Sequence, residues 1–244
     1  PIFDLVAVGV LHKGDHGGAA FDRAGGAGDG APGGRDVDQV CLTQFMSTST
    51  PQVHQLFDAA SSTYTYLVYD AQSLDAVIID PVDTQVERDQ KTIQTLGLKL
   101  RWALETHAHA DHITSAGLLA EHMGAQTAAP EGCHIGTAAV QLVDGQMIPF
   151  GTFSLKALHT PGHTAGSMCF YVVADHANHV FTGDTLLIGG CGRTDFQSGS
   201  AKEMFHSLTD ILFQLPQSTT VWPGHDYQGR THSSIGHEVQ HNTR

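Results

Sequence analysis

The chain has 244 residues, of which 41% are hydrophobic and 15% are charged, values that are ordinary for a globular protein with its own core. Its formal net charge of −13 argues against a nucleic-acid partner and against electrostatic docking on an anionic membrane. No apolar run approaches the roughly 18 residues of a membrane span, and the four cysteines form no C-x-x-C pair, which favours reduced thiols in an intracellular protein.

The first part of the chain differs in composition from the rest. A short apolar stretch at residues 2–11 is followed by a Gly/Ala/Asp-rich run through Arg35. Because that run has almost nothing to bury, we expect residues 1–40 to form a flexible appendage. Residues 41–244 are then expected to form one catalytic domain.

From residue 41 onward, the pattern predicts a mixed α/β domain. Helical periodicity predicts helices at 84–96, 113–123 and 201–215. Strand patterning predicts strands at 63–69, 76–79 and 98–104, several strands between 146 and 188, and a last strand at 219–222. Gly124 and Pro216 end the second and third helices. This order predicts an α+β fold with two sheets covered by outer helices.

A dense group of metal-ligating residues follows the strand predicted to end near Leu104. The run Thr-His-Ala-His-Ala-Asp-His contains His107, His109, Asp111 and His112. A strand end that opens into a loop lets several side chains point to one place, and four such residues so close together are hard to explain as core filling. The run therefore predicts a metal site.

Three later segments offer further ligands by a common arrangement. His163 follows Thr-Pro-Gly, Asp184 follows Phe-Thr-Gly, and His225 follows Trp-Pro-Gly. Each alone is a weak signal, since an aspartate after a strand is more often a turn or a helix cap. Their repetition of one pattern, a strand or turn, then a glycine, then a ligand, strengthens the prediction.

With these seven residues in place, the sequence resembles the metallo-β-lactamase superfamily. The H-x-H-x-D-H run is the signature of that family, and His163, Asp184 and His225 match its later ligand positions. The resemblance implies an αββα sandwich of two mixed sheets, with the metal site at one edge between them.

The resemblance leaves the number of metals open. In a binuclear hydrolase of this superfamily, one metal would be bound by His107, His109 and His163, and the other by Asp111, His112 and His225, with Asp184 as the bridge. A bridging hydroxide would attack an ester or thioester. On the ligands alone this interpretation is favoured, and a zinc hydrolase of the glyoxalase II (hydroxyacylglutathione hydrolase) type is the corresponding alternative.

Two flanking segments instead resemble the persulfide dioxygenases. These are Ser-Thr-Tyr-Thr-Tyr-Leu at 62–67 and Gly-Cys-Gly-Arg-Thr-Asp-Phe-Gln at 190–197. Glyoxalase II shares Gly-Cys-Gly-Arg but typically continues with aromatic residues and Glu. The resemblance implies one Fe(II) per chain, bound by His107, His163 and Asp184, the two-histidine, one-carboxylate set of non-haem iron oxygenases. His109, Asp111, His112 and His225 would then orient the ligands and shape the pocket.

The same resemblance implies glutathione persulfide and O₂ as substrates, with sulfite and glutathione as products. Because glutathione carries two carboxylates, Arg193 and Arg230 are candidates to bind them, with Tyr227 as a hydrogen-bond donor. For Arg230, a solvent-facing loop position is an equally good interpretation.

A sulfur-carrying or sensing protein, which binds a persulfide without turnover, is a third interpretation. The resemblance also leaves room for a homodimer and for a rhodanese-type sulfurtransferase as a partner in sulfide oxidation. The expected location is the cytoplasm of a bacterium, or the mitochondrial matrix in a eukaryote.

Overall fold

A computed structural model describes residues 50–174, 177–196 and 198–244, which belong to one compact unit. The appendage expected over residues 1–40 lies outside these described residues, so it and the domain boundary at residue 41 stay predictions.

The first sheet has six strands in chain order. They are β1 (Gln52–Asp58), β2 (Thr63–Tyr69), β3 (Asp75–Ile79), β4 (Lys99–Leu104), β5 (Gln126–Pro130) and β6 (Val140–Leu142). The pairs β1/β2 and β2/β3 are antiparallel, whereas the strands from β3 to β6 pair in parallel. The sheet is therefore mixed, as expected.

The second sheet also has six strands in chain order. They are β7 (Met147–Phe150), β8 (Phe153–His159), β9 (Met168–Val172), β10 (His179–Gly183), β11 (Thr220–Pro223) and β12 (Ser233–Ser234). All neighbouring pairs are antiparallel except β10 and β11. Because β10 and β11 are parallel, their carboxyl ends lie side by side.

The two sheets bury a common apolar core between them. Tyr66 and Leu104 of the first sheet pack in one cluster with Phe170 and Phe181 of the second. The rings of Tyr66 and Phe181 lie 5.2 Å apart between centroids. This aromatic contact packs the first sheet against the second and stabilises the sandwich.

Helices cover the outer face of each sheet. On the first sheet, α1 (Val86–Thr95) and α2 (Ala116–Met123) contribute Ile93 and Leu119 to a cluster with β2 and β3. On the second, α3 (Ala201–His206) and α4 (Ile235–His241) contribute Met204 and Ile235. The αββα sandwich is confirmed. No helix in the described part of the chain is long and apolar enough to cross a membrane.

The helix predicted at 84–96 is close to α1, but the other two predicted helices differ more from the structure. The helix predicted at 113–123 begins only at Ala116, because the Ile113 carbonyl accepts a hydrogen bond from Asp83 and Thr114 forms a β-bridge with Val82. The helix predicted at 201–215 is α-helical over α3 alone. It continues as a π-helical turn at Ser207–Ile211 and a 3₁₀ turn at Leu212–Gln214.

Candidate metal centre

Strand ends bring the predicted ligands to one edge of the sandwich. His107 follows β4, Asp184 follows β10 and His225 follows β11, while His163 lies in the loop between β8 and β9. The rings of His107 and His163 are 4.9 Å apart, and His225 Nε2 lies 3.4 Å from Asp184 Oδ1. Residues separated by more than a hundred positions therefore share one pocket.

Glycines before two of the ligands permit this close approach. Gly183 has φ +48°, and a Cβ there would lie 2.5 Å from Thr106 Oγ1. A Cβ on Gly224 would lie 2.8 Å from Asp184 Oδ1. The Gly-ligand pattern thus has a steric cause, since a side chain at either position would push adjacent ligand loops apart.

Three residues form what we call the inner triad: His107, His163 and Asp184. Their ligand atoms all lie within 4.8 Å of one another, and His163 Nε2 is 3.6 Å from Asp184 Oδ2. Burial, followed by the charges of neighbouring histidines, lowers the pKa of His107 well below its usual range. That imidazole is therefore neutral, the form that binds metals.

Outer hydrogen bonds orient both imidazoles of the inner triad. The Thr106 hydroxyl donates to Asp80 (2.7 Å), so its oxygen can accept from His107 Nδ1 (2.9 Å). His163 Nδ1 donates to the Arg193 carbonyl oxygen at 2.9 Å. Since each Nδ1 carries the proton, each Nε2 keeps its lone pair for a metal.

The other four predicted ligands form what we call the outer cluster: His109, Asp111, His112 and His225. Ligand atoms of the first three lie within 4.8 Å of one another. Asp111 Oδ2 accepts hydrogen bonds from His112 Nδ1 (2.8 Å) and from the Thr63 hydroxyl (3.0 Å), and it lies 3.7 Å from His225 Nε2. Burial raises the pKa of Asp111, but the hydrogen bond and charge of His112 lower it well below its usual range.

Two buried carboxylates, those of Asp80 and Glu105, interact with His109. Neither was predicted from the sequence. His109 Nε2 lies 3.1 Å from Asp80 Oδ1 and 3.2 Å from Glu105 Oε2. Burial lowers the pKa of His109, but these two carboxylates raise it well above its usual range. The signal for Asp80 is its place directly after a buried apolar strand, although it lacks the glycine that precedes Asp184.

The edge of the pocket contains polar atoms that a bound metal and substrate would satisfy. His109 Nδ1, His112 Nε2 and Asp184 Oδ1 are buried and have no hydrogen-bond partner among the described residues. Most buried polar groups in folded proteins are paired, so three such atoms in one place point to a ligand. Imidazole and carboxylate donors suit a first-row transition metal.

Of the three predicted substrate-binding residues, Arg193 and Tyr227 contact predicted metal ligands, and both arginines, Arg193 and Arg230, already have a carboxylate partner. Arg193 binds Asp195 (2.8 and 3.1 Å) and is 63% exposed, and Arg230 binds Asp226 (2.9 and 2.7 Å). Tyr227 is 75% exposed, and its ring lies parallel to that of His225 at 6.1 Å between centroids. Binding of a substrate carboxylate to either arginine would thus extend or replace an existing ion pair.

Comparison with known proteins identifies similar chains. Residues 59–132 and 134–225 match the metallo-beta-lactamase superfamily. The chain is 44% identical over 192 residues to the human mitochondrial persulfide dioxygenase ETHE1, covering 79% of this chain and 75% of that protein. The crystal structure of ETHE1 from Myxococcus xanthus has a TM-score of 0.74 and 46% identity, with 79% of this chain and 84% of that chain covered. A di-iron-bound structure of TTHA1623 has a TM-score of 0.64 and 30% identity, covering 78% of this chain and 99% of that chain.

Proposed function

Because this chain belongs to the metallo-β-lactamase superfamily and, within it, to the persulfide dioxygenases, we propose that it oxidises glutathione persulfide with O₂ at a single iron bound by the inner triad. One persulfide, one O₂ and one water give one glutathione, one sulfite and two protons. In this balance, the outer sulfur loses four electrons and O₂ gains them.

The inner triad is the observation that carries the proposal. It gathers two imidazoles and one carboxylate within 4.8 Å, and Thr106 and the Arg193 carbonyl keep both Nε2 atoms available. Three ligands on one side of a metal leave the remaining positions to substrates. Iron would supply the accessible redox change that zinc lacks.

The chain's own residues would bind and orient the persulfide. The Arg193 guanidinium would bind a glutathione carboxylate, while the Arg193 carbonyl holds His163. Burial and the carboxylates of Asp184 and Asp111 raise the pKa of Tyr227, so its hydroxyl stays protonated and can donate a hydrogen bond to the substrate. Arg230 would bind the second carboxylate beside Asp226.

Metal analysis combined with oxygen uptake tests the function. Protein purified without added metal is expected to carry about one iron per chain and to consume O₂ when glutathione persulfide is added, with sulfite formed in equal amount. Glutathione itself, which lacks the outer sulfur, is the control substrate. Two zinc ions per chain without O₂ uptake would overturn the proposal, and an iron protein that binds persulfide without turnover would favour a carrier or sensor.

A binuclear hydrolase is the second candidate, and one observation favours it. Asp184 Oδ2 faces His163 Nε2, whereas Oδ1 faces His225 Nε2, so the two oxygens point toward the inner triad and the outer cluster. This is the arrangement that a bridging carboxylate needs. Hydrolysis of a glutathione thioester by the zinc-loaded protein, without O₂ uptake by the iron-loaded protein, is the result that this candidate predicts. The homodimer, the sulfurtransferase partner and the cellular location stay predictions.

A further inference from the structure

We propose that Thr63 is a positioning residue that keeps the centre mononuclear, because its hydroxyl and His112 together occupy the Asp111 oxygen that a second metal would use. The inference rests on the proposed single-iron function. It assigns to Thr63 a role in selecting the number of metals, through Asp111 and without contact to the substrate.

Thr63 contacts two members of the outer cluster. Its backbone forms a β-bridge with His225, and its side chain hydrogen-bonds Asp111. It is 1% exposed, and the Ser61 hydroxyl contacts its oxygen at 2.8 Å. One residue therefore joins the strand β2 to three members of the cluster, since Asp111 in turn binds His112.

The hydrogen bonds to Asp111 fall on one oxygen. Each oxygen of an ionised carboxylate offers about two lone pairs. On Oδ2, one is used by His112 Nδ1 at 2.8 Å and the other by the Thr63 hydroxyl at 3.0 Å. Oδ2 is also the Asp111 oxygen that lies 3.7 Å from His225 Nε2. A metal shared by Asp111 and His225 would have to displace one of these donors.

Charge explains why the carboxylate is the deciding ligand of the outer cluster. His112 donates through Nδ1 to Asp111, and its Nε2 has no hydrogen-bond partner among the described residues, so a nitrogen ligand is available there. A second dication beside the first would meet strong repulsion, and Asp111 is the only carboxylate of the outer cluster that can offset it. Occupying its oxygen therefore weakens the second site even though imidazoles remain.

Substitution of Thr63 by valine tests this inference, because valine keeps the shape and removes the hydroxyl. The full chain carrying one Fe(II) is incubated anaerobically with Co²⁺, passed through gel filtration, and analysed for both metals. We expect Thr63→Val to keep its iron and bind one cobalt in addition, with an affinity roughly 10- to 100-fold higher than that of the wild type, the range over which outer hydrogen bonds tune metal sites. Thr63→Ser retains the hydroxyl and should behave as the wild type.

The outcomes separate this inference from the proposed function. A wild-type protein with one iron and a Thr63→Val protein with no added cobalt affinity would refute the role of Thr63 and leave the dioxygenase intact. A wild-type protein that already binds two metals would refute the single-iron function itself. Loss of both metals in Thr63→Val would show that Thr63 has a merely structural role. If the valine variant does not fold, Thr63→Ala is used in its place.

Discussion

The inner triad and the outer cluster use the same residue types, yet their hydrogen bonds differ. In the inner triad, the imidazoles bond outward, to Thr106 and to the Arg193 carbonyl. In the outer cluster, His109 and His225 also bond outward, to Asp80 and to the Ser62 carbonyl, but His112 bonds inward, to Asp111 of the same cluster. The inward bond occupies Asp111 Oδ2, a candidate ligand atom of its own cluster, whereas the bonds to Thr106 and to the Arg193 carbonyl occupy no candidate ligand atom of the inner triad. From this difference we expect hydrogen-bond partners, as well as ligand identity, to decide which group binds a metal.

Removal of a ligand from each group should give the largest contrast. Asp184→Ala is expected to abolish iron binding, because it removes the only carboxylate of the inner triad, whereas His112→Ala should keep its iron. Iron per chain, measured by elemental analysis, checks both variants. A full complement of iron in Asp184→Ala, or an equal loss of iron in Asp184→Ala and His112→Ala, would contradict the distinction between the inner triad and the outer cluster.

Removal of the metal should destabilise the protein through the inner triad alone. A ligand present at about 1,000 times its Kd stabilises a folded protein by about 4 kcal/mol. We therefore expect a chelator to lower the free energy of unfolding of the iron-loaded chain by about this amount. Asp184→Ala is the control, in which the chelator should change nothing. Equal chelator effects in the two proteins would place the stabilising metal elsewhere.

Loss of an outward hydrogen bond should weaken iron binding without abolishing it. Thr106→Val removes the oxygen that accepts from His107 Nδ1, and we expect iron affinity to fall roughly 10- to 100-fold. Competition with a chelator of known affinity measures the change. Thr106→Ser keeps the hydroxyl and should restore the wild-type value; unchanged affinity in the valine variant would show that the imidazole needs no such partner.

The smallest effect is expected from removing the Arg193 side chain, because its backbone carbonyl, and not its side chain, orients the candidate ligand His163. Arg193→Ala removes the guanidinium but keeps the carbonyl that holds His163. We expect unchanged iron content and kcat, with KM for glutathione persulfide raised roughly tenfold, the effect of about 1.4 kcal/mol of lost binding. Arg101→Ala is the matched control, since Arg101 is also exposed and paired with an aspartate, Asp75. A fall in iron content in Arg193→Ala would contradict the assignment of substrate binding to the guanidinium and of His163 orientation to the carbonyl.

Elements with strong patterning were predicted well, and those with weak patterning were missed. The strand β2 was predicted at its observed bounds, because its aromatic and β-branched residues are buried almost throughout. The edge strand β1 is half exposed and carries Gln and His, so it lacks a clear alternation. The short β6 and α4 offer too few residues for a periodic signal.

The sequence by itself predicted the sandwich, through the family resemblance, and seven candidate metal ligands, through two local patterns: a dense His/Asp run after a buried strand, and a glycine followed by a His or Asp. Only the tertiary structure decided which hydrogen bonds each ligand makes. Asp80, which directly follows β3, and Thr63, the first residue of β2, contact the pocket although they are far from the motif in sequence. A hydrogen bond forms only between atoms about 3 Å apart, and no local pattern specifies a distance between distant segments.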